Sequence, residues 1–201
     1  MEEKKASFYL LLKRSSAKVQ SEDQQPGSAT ETSDHRSPQK SVLRHLKIAK
    51  YKIDYAKDFG TEEQVVHYCT KYLNDFLTSY YTLCNRANAY CKLEKYDRAI
   101  EDLNSAIQLK PQRTNAWYLR GAAKGLKESY TDAICDLNKA ILINPSNCLA
   151  LKCRAYCYYK LKIYEEALCD IKMVIIMDFE VGGNNWAPSG VSDTKGKGKA
   201  F

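Results

Sequence analysis

The sequence predicts an all-α protein built as a right-handed superhelical array of antiparallel helix pairs. Apolar residues recur at helical spacing through the middle of the chain, and no alternating strand pattern appears. Similar segments also return every 34 residues: RAIEDLNSAIQLKP from Arg98, DAICDLNKAILINP from Asp132 and EALCDIKMVIIMDF from Glu166. A single helix pair of this kind cannot bury its apolar side, so stacked copies are expected to share one continuous core.

Residues 1–41 are predicted to be a disordered leader. From position 13 onward this stretch is rich in Ser, Gln, Thr and Glu and has almost no large apolar residue, so it cannot bury enough surface to offset its ordering entropy. The apolar run Phe8–Leu12 follows two acidic residues and is shorter than the core of a signal peptide. We therefore expect no signal peptide, and no stretch is long enough to predict a membrane span.

Residues 42–79 are predicted to form a degenerate helix pair. Counting back one 34-residue period gives a unit starting at Leu46, and helical spacing is clear in VLRHLKIAKYKIDYAKDF and EEQVVHYCTKYLNDF. Ser41 is expected to cap the first of these helices.

Three clear units follow, at residues 80–113, 114–147 and 148–181, and residues 182–201 form a Gly/Ser/Lys-rich flexible tail. Breaks between the two helices of each unit are predicted at Leu93–Lys95, Lys127–Ser129 and Leu161–Ile163. Pro111 and Pro145 are expected to end the second helices of the first two units, because proline cannot continue the hydrogen-bond ladder.

Small residues at fixed positions explain how the units are expected to pack. Counting from the first residue of each unit, position 8 is Ala87, Gly121 or Ala155, and positions 20 and 27 are also small or medium-sized. These side chains let the helices approach closely while larger residues fill the surrounding grooves. Replacing Gly121 by leucine is expected to cost about 1–3 kcal/mol.

The pattern resembles the tetratricopeptide repeat, a helix–turn–helix module of 34 residues. The resemblance covers residues 80–179 and rests on the large residue at position 4, the small residues at 8, 20 and 27, and the prolines at position 32. The chain departs from the family pattern at position 7, where Arg86, Arg120 and Arg154 replace leucine, and the third unit lacks its proline.

The resemblance implies a concave groove lined by the first helix of each unit. In such a groove amides bond a peptide backbone, rings cover its side chains and lysines attract carboxylates. A short acidic or C-terminal peptide, including a chaperone-related one, is the expected ligand. The predicted groove residues are Lys50, Tyr81, Asn85, Asn88, Lys92, Asn115, Tyr118, Leu119, Lys152, Tyr156 and Lys160.

A stricter comparison concerns the carboxylate clamp with which some family members grip the C-terminal Asp of heat-shock chaperones. With the degenerate unit taken first, Lys50 and Asn85 match the clamp, whereas Asp54, Asn115 and Leu119 do not. Two cations are missing and an acid replaces an amide. An intact clamp is therefore not predicted, and a chaperone-tail receptor remains an alternative hypothesis.

No catalytic motif, glycine-rich phosphate loop or four-ligand metal set is recognised, so neither an enzyme nor a cofactor or metal site is predicted. Asp102 and Asp136 recur with the repeat and are predicted to lie on the solvated sides of second helices, as surface charges or in turn-to-turn hydrogen bonds. The eight cysteines lie in helical patterns and are expected to be reduced, mostly buried thiols in the cytoplasm or nucleus.

The charge distribution argues against nucleic acid as a partner. The net charge of the chain is +7. Residues 41–179 hold 21 basic and 16 acidic residues, and the basic ones form no continuous stripe along the sequence. The leading hypothesis is therefore a non-catalytic protein–protein interaction adaptor. The alternative from another class is the targeting segment of a larger enzyme.

The C-terminal end of the array is unusual, because no extra helix is predicted to shield the last unit. Ile171, Val174, Ile175 and Met177 are expected to be partly uncovered. Three explanations stay open: the chain is part of a longer protein, the surface is a partner or self-association contact, or Phe8–Leu12 folds back over it.

Overall fold

The computed structural model describes residues 38–76 and 78–182. Nearly all of the predicted leader, with Phe8–Leu12, and the predicted tail from residue 183 lie outside these ranges. Within them the chain forms eight helices and no strand. The helices are α1 Pro38–Phe59, α2 Glu62–Phe76, α3 Tyr80–Lys92, α4 Tyr96–Leu109, α5 Thr114–Leu126, α6 Tyr130–Ile143, α7 Cys148–Lys160 and α8 Tyr164–Gly182.

The first helix begins earlier than predicted. It starts at Pro38, so residues 38–41 are helical and Ser41 is not its N-cap. Proline suits the first turn of a helix because its missing N–H would have no intrahelical partner there. At α2 a reciprocal capping box forms instead: Thr61 N–H donates to Gln64 Oε1 at 3.2 Å, and Gln64 N–H donates to Thr61 Oγ1 at 3.3 Å.

The breaks inside the three clear units are built alike, at the predicted positions. Glu94, Glu128 and Lys162 occupy position 15 of their units and have left-handed φ angles of 58°, 67° and 64°. In the middle unit Ser129 N–H then donates to the carbonyl of Lys124 at 2.9 Å, and the other two units repeat this bond. One left-handed residue thus closes each first helix and reverses the chain.

The helices pack in chain order, each on the next, as antiparallel neighbours. In addition the first helices of successive units contact one another, α3 with α5 and α5 with α7. We call the exposed side of α3, α5 and α7, which carries Asn85, Asn88, Lys152 and Lys160, the inner face. The predicted all-α array of helix pairs is confirmed.

Small side chains lie at the tightest helix contacts, as predicted. Ala87 and Ala155 are 0% and 3% exposed. A Cβ atom placed on Gly121 would lie 2.7 Å from Leu137 Cγ and 3.1 Å from the carbonyl oxygen of Ala133. The two helices of the middle unit are therefore closer than any larger residue at this position would allow.

The prediction that Asp102 and Asp136 lie on the solvated sides of their helices is wrong. They are 7% and 4% exposed, and so is Asp170 at 4%. The guanidinium groups of Arg86, Arg120 and Arg154 each bind one of these carboxylates through two nitrogens. The unexpected arginine at position 7 and the buried aspartate at position 23 thus explain each other, because a buried charge needs an opposite charge beside it.

The third nitrogen of each arginine reaches into the preceding unit. Arg120 Nη1 donates to Asn104 Oδ1 at 2.7 Å and Arg154 Nη1 to Asn138 Oδ1 at 2.6 Å, while Arg86 Nη1 donates to Thr70 Oγ1 at 3.1 Å. We call each such bond a rung. The acceptors stand at position 25 of successive units, and Thr70 fits this register when the degenerate unit starts at Leu46.

The cysteines divide into two groups. Five are buried, as expected, whereas Cys135 and Cys169 are exposed and Cys148 is intermediate. Burial raises the pKa of the thiols of Cys69, Cys84, Cys91 and Cys157 to about 12. The buried thiols are thus neutral packing groups.

Candidate functional site

Most of the predicted groove residues are accessible to a ligand. Lys50 and Tyr81 are exposed, and seven others are partly exposed on α3, α5 and α7: Asn85, Asn88, Lys92, Asn115, Lys152, Tyr156 and Lys160. Tyr118 and Leu119 are the exceptions, at 2% and 7% exposed, because both belong to the central core. These two side chains cannot line an open groove in this structure.

Asn85 and Asn88 are the most informative pair on the inner face. They stand one turn apart on α3, so both amides project from the same side of the helix. Both are half-buried, and neither side chain hydrogen-bonds to another residue within the described ranges. Each amide therefore offers two donors and an acceptor, partly removed from water, to an incoming group.

The lysines of this face differ in how far their charge is already balanced. Lys92 Nζ lies 2.6 Å from Glu62 Oε1, so this ion pair links α3 to α2 and already balances the charge of Lys92. Lys152 Nζ lies 3.8 Å from Asp178 Oδ2, and both side chains are partly exposed. Lys50, on α1, is exposed and at the opposite end of the array.

Lys160 lies in an aromatic cluster at the far end of the face. Its ammonium nitrogen is 5.9 Å from the ring centre of Tyr130 and 5.8 Å from that of Tyr156, and the two rings meet edge to face at 6.4 Å. Burial raises the pKa of Tyr130 to about 12. The cluster presents a cation held by rings, which can contact both carboxylates and aromatic groups.

Two residues missed by the sequence reasoning belong to this surface. Tyrosine recurs at position 17 of all three clear units, as Tyr96, Tyr130 and Tyr164, and this recurrence was the signal that could have identified Tyr130. Lys110, in the turn after α4, lies 5.6 and 5.3 Å from the ring centres of Tyr80 and Tyr81. Nothing in the repeat pattern marks Lys110, because turn positions vary from unit to unit.

An apolar groove of about 660 Å³ opens between α7 and α8. Its walls combine the predicted residues Lys152 and Tyr156 with the start of α8, and the full lining is Lys152, Ala155, Tyr156, Tyr159, Tyr164, Ala167, Leu168 and Ile171. It lies on the face of the last pair that a following first helix would cover. We call it the terminal groove.

No cluster of three or more His, Cys, Asp or Glu side chains in residues 38–76 and 78–182 could hold a metal ion. None of the helices in the same ranges combines the length and hydropathy needed to cross a membrane.

Comparison with known families agrees with this geometry. Residues 80–113 match the family described as Tetratricopeptide repeat. The chain thus contains a tetratricopeptide repeat at the first clear unit, and the resemblance drawn from the sequence is confirmed. A search of curated proteins gave no significant match.

Solved structures share the fold at low sequence identity. A crystal structure of MamA has a TM-score of 0.64 and 20% identity, covering 72% of this chain and 86% of that one. MamA 41-end from Desulfovibrio magneticus RS-1 has a TM-score of 0.62 and 16% identity, covering 76% and 90%. The second TPR domain of human RPAP3, solved with the HSP70 peptide SGPTIEEVD, has a TM-score of 0.53 and 24% identity, covering 57% and 96%.

Proposed function

We propose that this protein is an interaction adaptor that docks an extended segment of a partner protein along its inner face. Repeat arrays of this fold are a recurrent protein-binding architecture, and their concave side supplies the binding surface. The observation that carries the proposal is the Asn85–Asn88 pair. Two half-buried amides without a partner among the described residues are suited to bond the backbone of a peptide lying across α3.

The charges on the inner face favour an acidic ligand. Lys160 is held over two rings, and Lys152 has only a distant, partly exposed counter-charge. A carboxylate on the ligand would gain charge-assisted hydrogen bonds from both lysines. The ligand class that fits best is an extended peptide with acidic side chains towards the α7 end.

A chaperone C-terminal tail is the less favoured ligand. Binding an HSP70 peptide is a property of the RPAP3 domain and does not transfer at 24% identity. In this chain Asp54 and the buried Leu119 stand at two of the clamp positions. The proposal therefore places the ligand's backbone amides, rather than its terminal carboxylate, against the inner face.

Peptide display tests the proposal. A library of random peptides would be selected on the full chain, and the enriched acidic peptides would be titrated against the wild type and an Asn85→Ala/Asn88→Ala variant. We expect binding to weaken at least about tenfold, since each lost hydrogen bond contributes about 0.5–1.5 kcal/mol. The matched control is Asn74→Ala/Gln108→Ala, which removes two exposed amides from second helices and should leave binding unchanged.

Two results would contradict this function. One is a selection that enriches no peptide on the wild-type chain. The other is a set of peptides that bind the Asn85→Ala/Asn88→Ala variant as tightly as the wild type. The peptide SGPTIEEVD, with a free and with an amidated C-terminus, separates the two ligand classes: dependence on the free carboxylate would favour the chaperone-tail alternative.

A further inference from the structure

The last helix in the described part of the chain carries an exposed apolar stripe. Tyr164, Leu168, Ile171 and Ile175 are 53%, 57%, 41% and 61% exposed, and their spacing places them on one side of α8. One unit earlier Leu137 occupies the place of Ile171 and is 0% exposed, in a helix on which α7 packs. Val174 is 4% exposed, so the expectation that it is uncovered was wrong, whereas Ile171 and Ile175 are uncovered as expected.

The rungs indicate that one kind of neighbour, a further repeat unit with arginine at position 7, does not fit against this stripe. At every junction between described units, position 25 provides an oxygen that accepts a bond from the next unit's arginine. In α8 the same position is Lys172, which is exposed and can only donate. A further unit with arginine at position 7 would bring two cations together here.

Head-to-tail stacking of whole chains meets the same obstacle. If α1 of a second copy followed α8, its position-7 residue, Lys52, would face Lys172. Bulk adds a second obstacle, because Ile48 and Tyr55 stand in α1 where the middle unit has Ala116 and Ala123, both 0% exposed. Larger residues at such contacts prevent the close approach seen inside the array.

The charges beside the stripe are self-complementary instead. Glu165 and Lys172 are both exposed, lie seven residues apart and flank the stripe on the same side. Seven residues span about 10 Å of helix, close to two full turns. If a second α8 is placed antiparallel across a two-fold axis near Leu168, each Glu165 faces the partner's Lys172, and the apolar stripes meet alongside the two ion pairs.

We propose that this chain forms a symmetric homodimer in which the α8 helices of two copies pack antiparallel. Leu168 and Ile171 form the centre of the contact, and Glu165 of each copy pairs with the partner's Lys172. The partner helix covers the part of the terminal groove that α8 contributes. The dimer joins two inner faces in one particle and so doubles the number of ligand sites.

Analytical ultracentrifugation of the full chain tests the interface over about a hundredfold range of concentration. We expect a reversible monomer–dimer equilibrium with no larger species, as a closed two-fold contact requires. Leu168→Asp should abolish the dimer, because it puts a charge at the centre of the apolar contact. Leu168 is 57% exposed in the monomer, so circular dichroism should show unchanged helix content.

Charge reversal distinguishes this geometry from any other apolar association. Glu165→Lys and Lys172→Glu should each raise the dimer dissociation constant about tenfold, since each puts two like-charge pairs at the contact. Mixed together, the two single variants should form a heterodimer with wild-type affinity, because a helix with two lysines then meets one with two glutamates. Asn85→Ala/Asn88→Ala should leave dimerisation unchanged.

Several results would overturn the proposal: a wild-type chain that stays monomeric, growth into open-ended oligomers, a dimer that survives Leu168→Asp, or single variants that fail to recover affinity on mixing. Each of these outcomes is independent of peptide binding. The peptide-docking proposal can therefore fail while the dimer stands, and the reverse.

Discussion

Arg120 holds Asp136 by two parallel hydrogen bonds, from Nε to Oδ2 at 2.8 Å and from Nη2 to Oδ1 at 2.7 Å. Its remaining nitrogen, Nη1, is bonded to Asn104 of the preceding unit. One guanidinium thus joins the two helices of its own unit and fastens that unit to its neighbour. The same three-way contact occurs at Arg154, and with a threonine as acceptor at Arg86.

Loss of this arginine should be far more costly than loss of a surface charge. Arg120→Met removes both guanidinium bonds to the buried Asp136 and leaves Lys124, whose Nζ lies 2.8 Å from Asp136 Oδ2, as its remaining ion-pair partner among the described residues. We therefore expect the free energy of unfolding to fall by about 1.5–3 kcal/mol. Urea denaturation measures the change. Lys127→Met, which breaks the exposed pair with Asp97, serves as the control and should cost less than about 1 kcal/mol. Equal losses in the two variants would mean that the contacts of Arg120 with Asp136 and Asn104 stabilise the array no more than an exposed ion pair does.

The close contact at Gly121 gives a second prediction. Gly121→Ala raises helix propensity by about 1 kcal/mol, yet it places a methyl group 2.7 Å from Leu137 Cγ. We expect a net loss of about 1–3 kcal/mol from overpacking, measured by thermal or urea denaturation. In a Leu137→Ala background, which removes the two clashing carbons of Leu137 but not the carbonyl oxygen of Ala133 at 3.1 Å, the same substitution should cost less than in the wild type. A loss of the same size in both backgrounds would refute the steric explanation.

The left-handed residues at the breaks should respond in the opposite direction. Glu128 has a φ of 67°, a conformation that costs a non-glycine residue about 1–2 kcal/mol. Glycine relieves this strain but also raises the conformational entropy of the unfolded chain, which offsets part of the gain. Glu128→Gly should therefore raise the free energy of unfolding by about 0.5–1 kcal/mol. Glu128→Ala removes the charge but keeps the strain, so its midpoint should stay near that of the wild type. Destabilisation by glycine would exclude strain at this position.

Alkaline pH should weaken the fold through its buried thiols. Burial raises the pKa of Cys91 to about 12, so the unfolded chain, with an ordinary thiol pKa, releases its proton first. Stability from this group is complete below about pH 8.5 and is lost as the pH rises towards 12, by up to about 1.4 kcal/mol per pH unit. Urea titrations under reducing conditions at several pH values measure the slope.

The comparison between two cysteine variants identifies the source of that slope. Cys91→Ala should reduce the slope of unfolding free energy against pH by up to about 1.4 kcal/mol per pH unit, the contribution of one proton. Cys135→Ala, at an exposed position, should leave this slope unchanged. A slope that is the same in both variants would assign the pH dependence to other groups, such as the buried tyrosines.

The repeat period carried most of the fold prediction. Once the small residues at position 8 were in register, the helix breaks followed, and Lys127–Ser129 lies between α5 and α6 as expected. The buried ion pairs were missed because a family pattern with leucine at position 7 made Arg120 look like a departure. Its partners lie 16 residues away in each direction, and only the folded hairpins bring them together.

The inner face could be predicted less completely. Register assigned Asn85 and Leu119 to the same position 6, yet Asn85 is half-buried and Leu119 is 7% exposed. The difference arises because α5 contacts the first helices of both adjacent clear units, α3 and α7, and Leu119 belongs to the central core. Position within a repeat therefore indicates direction, but the neighbouring side chains decide whether a residue reaches the surface.

The rung has a consequence for how such a protein can lengthen. Residues 114–147 contain both a donor and an acceptor of this bond. Arg120 donates to Asn104 of the preceding unit, and Asn138 accepts from Arg154 of the following unit. Duplication of the corresponding coding sequence would insert a unit whose arginine and asparagine match those of its copy and of both neighbouring units. Duplication of 148–181 would set Arg154 against Lys172. Growth of the array by internal copying is thus open upstream of Cys148 and obstructed at the helix pair of residues 148–181.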